Sequence, residues 1–180
     1  MTEPKRRHTR HGGPIVLVES DPEWPRLFAR EAARIREVLG DQVLRLEHVG
    51  STSVPGLAAK PVIDVLLVVA DPADEAAYVT PLEAAGYRLV IREPDWHEHR
   101  VLKGPDTNVN LHVFGPGSGE IRRMVRFRDR LRADPDEREL YERTKRELAR
   151  REWEYVQDYA DAKGHVVEAI LARAEADATS

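Results

Sequence analysis

Gly50, Ser51 and Asp64 are the residues of this chain whose types and spacing best suit joint chemistry. They lie in Leu46-Glu-His-Val-Gly-Ser-Thr-Ser-Val-Pro-Gly-Leu-Ala-Ala-Lys-Pro-Val-Ile-Asp64-Val-Leu-Leu-Val-Val69. A hydrophobic strand runs into a loop of small residues, and a second hydrophobic strand then carries one acid. A Gly-Ser turn presents backbone N–H groups and a hydroxyl to a phosphate. A carboxylate on the adjacent strand can hold a divalent metal, here Mg²⁺, against that phosphate. Asp64 is flanked by Val62, Ile63, Val65 and Leu66. A carboxylate buried among such neighbours is costly unless it is paired, hydrogen-bonded or metal-bound. The competing structural account is an ion pair with Lys60 or Arg100.

Thr52 continues the loop, and Lys60 stands at the head of the second strand, within reach of phosphate oxygens or of Glu47 or Asp64. Glu47 and His48 point to opposite faces of the first strand, so one faces the core or the site. His97 and His99 share a face if both are on a strand, and His112 lies in the next strand. Three histidines from neighbouring strands can bind zinc. The plainer readings are His112 lining the site as an acid–base or phosphate-contacting group, or exposed strand residues. Met124, Phe127 and Leu131 form an apolar helical stripe. Arg128 beside them either reaches the cleft or, the favoured reading, is structural and paired with Asp129 or Glu142.

The chain has 180 residues, 41% apolar and 33% charged, which suits one folded domain. It has no cysteine, which excludes disulfides and thiolate metal sites. Residues 1–13 are basic and polar, with Lys5, Arg6, Arg7 and Arg10, and read as a flexible tail; residues 176–180 read as a second one. No secretory signal or apolar run near 18 residues is visible, so a cytoplasmic protein without a membrane segment is expected. Net charge is −4, which makes nucleic acid an unlikely partner. Residues 121–132 nevertheless hold six arginines against Asp129 alone. They make either a local polyphosphate-recruiting patch or a solvated helix face neutralised by acidic neighbours.

The elements that must position these groups follow from periodicity. A helix over 22–39 opens at Asp21-Pro22 and closes at Gly40. Strands are predicted over 43–49, 61–69 and 87–91, the second so uniformly apolar that both its faces must be covered. A helix fills 73–85. Residues 98–103 and 108–114 form a hairpin around Gly104-Pro105-Asp106-Thr107. Gly115 to Gly119 break the pattern, and helices follow over 119–132, 136–150 and 152–175. The fold class is α+β: a mixed β-sheet with helices packed on it and a helical C-terminal region.

The segment from Glu47 to Asp64 resembles the signature of the GrpB family. Gly86-Tyr87, Leu111-His112-Val113, Phe127 to Arg132, Tyr141 with Lys145, and Tyr159 with Lys163 extend the resemblance over about residues 14–175. It implies one nucleotidyltransferase-like domain, of a kind that also occurs fused behind dephospho-CoA kinase. In the wider superfamily a Gly-Ser turn is followed by paired acids on the next strand and a third acid later. These hold two magnesium ions, and a nucleotidyl group passes from a nucleoside triphosphate to an acceptor hydroxyl. By that pattern Gly50, Ser51, Thr52 and Lys60 bind the phosphates, Asp64 holds Mg²⁺, and His112 or Arg100 stands at the acceptor side. The sequence departs from the pattern at Leu66, two residues after Asp64, and strand 108–114 offers only Asn108, Asn110 and His112. The expected function is nucleotidyl transfer to an unknown acceptor. The alternatives are a catalytically degenerate domain that binds a nucleotide or a coenzyme-A-related ligand, and a histidine-based metalloenzyme.

Overall fold

The computed structural model of the chain describes residues 15–151 and 156–179. The expected tail over 1–13 lies outside the described residues.

Helix α1 spans Trp24–Leu39. Its start is fixed by Asp21, whose Oδ1 accepts the Glu23 N–H at 2.9 Å, and by Pro25, which has no N–H to leave unpaired in the first turn. Trp24, Ile35 and Leu39 form its buried stripe. Strand β1 (Arg45–Val49) leads through a single 3₁₀ turn, Ser51–Ser53, toward β2 (Ile63–Val68). Helix α2 (Glu75–Ala84), strand β3 (Arg88–Glu93) and the β4–β5 hairpin (His99–Lys103, Val109–Phe114) follow. Helices α3 (Gly119–Ala133), α4 (Pro135–Ala149) and α5 (Val156–Ala178) complete the order. Caps set the starts of α3 and α4: Ser118 Oγ accepts from Glu120 N at 3.2 Å, and Asp134 Oδ1 accepts from Asp136 N at 2.9 Å and Glu137 N at 3.1 Å. Because α5 continues to Ala178, the tail expected from 176 is helical through that residue.

The sheet order is β1-β2-β5-β4-β3. The β2–β5 pair is parallel and the other three pairs are antiparallel, so the sheet is mixed. Successive side chains of a strand alternate faces. Ile63, Val65 and Leu67 of β2 therefore join α1 and α2 in the larger core with Leu111 and Val113. Leu66 and Val68 pack the other way with Val49, Phe114 and Ile121 of α3. Asp64 shares this second face, the one α3 covers. A third apolar cluster ties α3, α4 and α5 to the loop residues Val54 and Leu57.

The arginine-rich segment is bound into this packing. Arg122 and Arg126 pair with Glu175, Arg123 with Glu168 and Arg130 with Asp177, all acids of α5. Arg128 is buried and joins α3 to β1, its Nη1 2.5 Å from Glu47 Oε2 and 3.0 Å from the His48 carbonyl. The reading as a polyphosphate-recruiting patch gives way to an interhelical salt-bridge seam. Among the described residues no helix is long and apolar enough to cross a membrane.

Candidate functional site

The loop after β1 and the start of β2 form one wall of a cleft of about 220 Å³, and α4 and α5 form the other. Ser51, Thr52, Lys60, Asp64, Asn110, Lys145, Tyr159 and Lys163 supply its polar lining. The structure therefore brings together Gly50, Ser51, Thr52, Lys60 and Asp64, as the spacing along the chain suggests. It adds two lysines from helices far away in sequence.

Gly50 makes the close approach possible. Its φ of +72° and ψ of −178° lie in a region that side-chain-bearing residues avoid. A Cβ there would stand 2.5 Å from Asp64 Oδ2. The absence of a side chain lets β1 turn sharply and lets the Asp64 carboxylate lie against the turn. Thr52 is buried and holds the loop in place: its hydroxyl donates to the Val62 carbonyl at 3.0 Å. That hydroxyl has one proton, so His48 Nε2, 3.0 Å away, donates to Thr52 Oγ1. Burial first, then Arg132 and Arg128, push His48 down to about 4 against the pull of Asp64. It is a neutral loop anchor, stacked on Phe28.

Three ammonium groups converge on the cleft. Lys145 is buried, and its Nζ donates to Ser51 Oγ at 2.9 Å and to the Ala58 carbonyl at 2.8 Å. Burial, followed by the charge of Lys163, pushes Lys145 down to about 7. Lys60 is also lowered, by burial and then by Lys163, against Asp64. Lys163 is raised, foremost by its electrostatic interaction with Tyr141 and further by Tyr159 and Asp64, against burial. The ring of Tyr159 lies between two of these cations, with Lys60 Nζ 4.8 Å and Lys163 Nζ 5.4 Å from its centroid.

His112 Nε2 lies 3.2 Å from Asp64 Oδ1, so His112 reaches the candidate site through that carboxylate. Arg100 is corrected. It pairs across the sheet with Val113, one position out of phase with His112, and so faces α1 and α2 rather than the cleft. It is bound there by Glu75 Oε2 at 3.1 Å and Glu98 Oε2 at 2.8 Å. The tri-histidine arrangement is also corrected. His97 precedes β4 in a turn where His97 and Glu98 both take positive φ, and its Nδ1 lies 3.1 Å from Ser118 Oγ. His99 and His112 do meet, Nε2 to Nδ1, at 3.1 Å. Among the described residues no group of three His, Cys, Asp or Glu is placed to hold a metal.

The donor set bears on magnesium too. Among the described residues Asp64 is the sole carboxylate lining the cleft, and Leu66 on the same face is fully buried in the apolar cluster under α3. A two-metal centre draws on several hard oxygen ligands. The other charged side chains lining the cleft are Lys60, Lys145 and Lys163, and this donor set, among the described residues, does not fit a pair of magnesium ions.

Comparisons with known proteins agree on one lineage. The sequence profile described as GrpB protein matches residues 14–173. A UPF0157 protein of Halalkalibacterium halodurans is 63% identical over 92% of this chain and 85% of its own length. The crystal structure of conserved protein GrpB from Enterococcus faecalis superposes with a TM-score of 0.70 at 30% identity, covering 85% of this chain and 98% of that one. A dephospho-CoA kinase of Mycolicibacterium paratuberculosis is 35% identical over 77% of this chain, which corresponds to 40% of the kinase. With the Gly50–Asp64 turn in place, the β-sheet backing it and the profile running almost end to end, the chain belongs to the GrpB family.

Proposed function

We propose that the cleft binds a phosphate-bearing small molecule, with a nucleotide as the first class to test. One observation carries this reading: Lys60, Lys145 and Lys163 come from three separate elements to one cleft that, among the described residues, holds a single carboxylate. Like charges gathered in a partly buried site repel one another, and a bound dianion relieves that repulsion. Ser51 and Asn110 offer hydrogen bonds alongside. Nucleotidyl transfer, with Asp64 toward an acceptor hydroxyl, is the second reading. The meeting of Asp64 with the Gly50-Ser51 turn favours it, and the scarcity of acids weighs against its two-metal form. Similarity to part of a dephospho-CoA kinase puts coenzyme-A-related ligands beside nucleotides.

Calorimetric titration with inorganic phosphate, ATP, GTP, CTP and coenzyme A, each with and without Mg²⁺, tests the reading. At least one phosphate-bearing ligand is expected to bind, and Lys163→Met is expected to weaken it about tenfold or more. Binding is also expected to take up a proton. Lys145 is half protonated near pH 7 in the free protein. A neighbouring anion raises its proton affinity, so affinity falls as pH rises above 7 and the measured heat depends on the buffer's own ionisation heat. Absence of heat with every ligand at millimolar concentration, from folded protein, overturns the reading.

A further inference from the structure

Behind Asp64 a line of four titratable side chains crosses the sheet, one from each successive strand. Asp64 stands on β2, His112 on β5, His99 on β4 and Glu93 on β3, in the order in which those strands lie side by side. Three strand spacings make this a path of about 14 Å. The contacts are Asp64 Oδ1 to His112 Nε2 at 3.2 Å, His112 Nδ1 to His99 Nε2 at 3.1 Å, and His99 Nδ1 to Glu93 Oε1 at 3.1 Å. The two imidazole planes lie within 10° of parallel, and Phe114 stacks on His99. Both ends of the line reach water and His99 is its enclosed point: side-chain exposure is 28% at Asp64, 21% at His112, 9% at His99 and 27% at Glu93. Asp64 opens into the lysine cleft, whereas Glu93 lies outside it.

Proton counting gives this line its meaning. Three contacts between acceptor atoms at hydrogen-bond distance need three protons. Two neutral imidazoles carry two. The third is held as an imidazolium or on one of the carboxyl groups. It can sit on any of the four residues with all three hydrogen bonds intact, and neighbouring states differ by one proton hop.

The geometry points to a proton relay between the cleft and the β3 edge of the sheet, with Asp64 as its acid–base terminus and His112, His99 and Glu93 as positioning residues behind it. Transfer outward takes three hops. Asp64 O–H breaks as His112 Nε2–H forms, His112 Nδ1–H breaks as His99 Nε2–H forms, and His99 Nδ1–H breaks as Glu93 O–H forms. Asp64 is left a carboxylate that accepts from His112 Nε2–H on one oxygen, and its other oxygen can take the proton of a ligand hydroxyl. That last use rests on the cleft binding a ligand; the relay itself does not.

The test therefore uses no ligand. Protein labelled with ¹⁵N-histidine, ¹³C-aspartate and ¹³C-glutamate is examined by NMR near pH 7, with His99 and His112 assigned from single His→Gln variants and Asp64 and Glu93 from Asp64→Asn and Glu93→Gln. Protonated and bare ring nitrogens give well-separated ¹⁵N signals. The relay requires three protons in the line: three on the ring nitrogens with both carboxylates ionised, or two there and one on a carboxyl group. Two ring protons with both carboxylates ionised would leave one contact empty and overturn the proposal. Glu93→Gln then separates a relay from mere packing, because the Gln carbonyl still accepts from His99 Nδ1–H but cannot take its proton. The relay predicts that this change shifts the His112 ring and Asp64 carboxyl signals, which lie further along the line. If they do not move in a folded variant, the line is structural only. Should the variant fail to fold, the wild-type count still decides. A positive count with no ligand bound in the titrations above would overturn the ligand reading and leave the relay standing.

Discussion

Lys145→Met is expected to gain stability relative to the wild type as pH falls from about 10.5 to about 7, by roughly 3–5 kcal/mol across that window. Lys145 is 3% exposed and its ammonium is pushed down to about 7, chiefly by burial. Between that value and 10.5 the unfolded chain binds a proton at this position and the folded chain does not. Unfolding therefore takes up a proton, and wild-type stability rises with pH through the window. Below pH 7 both states are protonated, and the folded protein carries the whole cost of an enclosed cation beside Lys163. Methionine fills a similar volume without a charge, so the variant lacks this slope. It also loses the hydrogen bonds to Ser51 Oγ and to the Ala58 carbonyl. Leaving that carbonyl unpaired costs about 1–3 kcal/mol. The advantage of the variant is thus greatest at and below pH 7 and closes or reverses near pH 10. Urea unfolding of both proteins at several pH values checks this, and parallel stability curves would refute it. The same variant should bind phosphate poorly, as expected of a buried lysine kept for a ligand rather than for stability.

That expectation concerns a residue whose role was hard to see in the chain. The sheet and its helices were legible because their signals are local. The unbroken apolar run of β2 does lie between two covered faces, and a helix does follow the break at Gly115 to Gly119. Gly50, Ser51 and Asp64 were legible for the same reason, since loop and strand are contiguous. Lys145 and Lys163 were not. Each follows a tyrosine by four residues, in Tyr141/Lys145 and Tyr159/Lys163, a spacing that also marks an ordinary helix face. Only the docking of α4 and α5 over the loop turns both lysines inward. The repeated Tyr-x-x-x-Lys pattern was the available signal. Arg100 fails for a different reason. Its parity relative to His112 depends on the register of the β4–β5 hairpin, which sequence alone leaves open by one residue. His97 and His99 share a face only if both are placed on a strand, and the turn before His99 separates them.

The other large effect belongs to the residue that permits the site to close. Gly50→Ala is expected to destabilise the protein by about 2–5 kcal/mol. Two costs combine. The backbone at φ +72° and ψ −178° is one that alanine adopts only under strain, worth about 1–3 kcal/mol. The new methyl would also meet Asp64 Oδ2 at 2.5 Å and Asp64 Cβ at 3.0 Å, so carboxylate or loop must move. Movement of the loop is resisted: the Gly50 carbonyl accepts from both the Ser53 amide and the Ser53 hydroxyl, and Thr52 is held by Val62 and His48. The carboxylate must therefore shift, which strains its contact with His112. Denaturant unfolding at constant slope measures the loss. A double-mutant cycle with Asp64→Gly separates the two costs, because removing the Asp64 side chain relieves the collision and leaves the backbone strain. The double variant should lose less than the two single losses combined, by at least about 1 kcal/mol. Additive losses, or a single variant within about 0.5 kcal/mol of wild type, would mean that the turn and the acid do not touch. The cleft would then have lost the contact that makes one site of a glycine turn and a carboxylate fourteen residues apart.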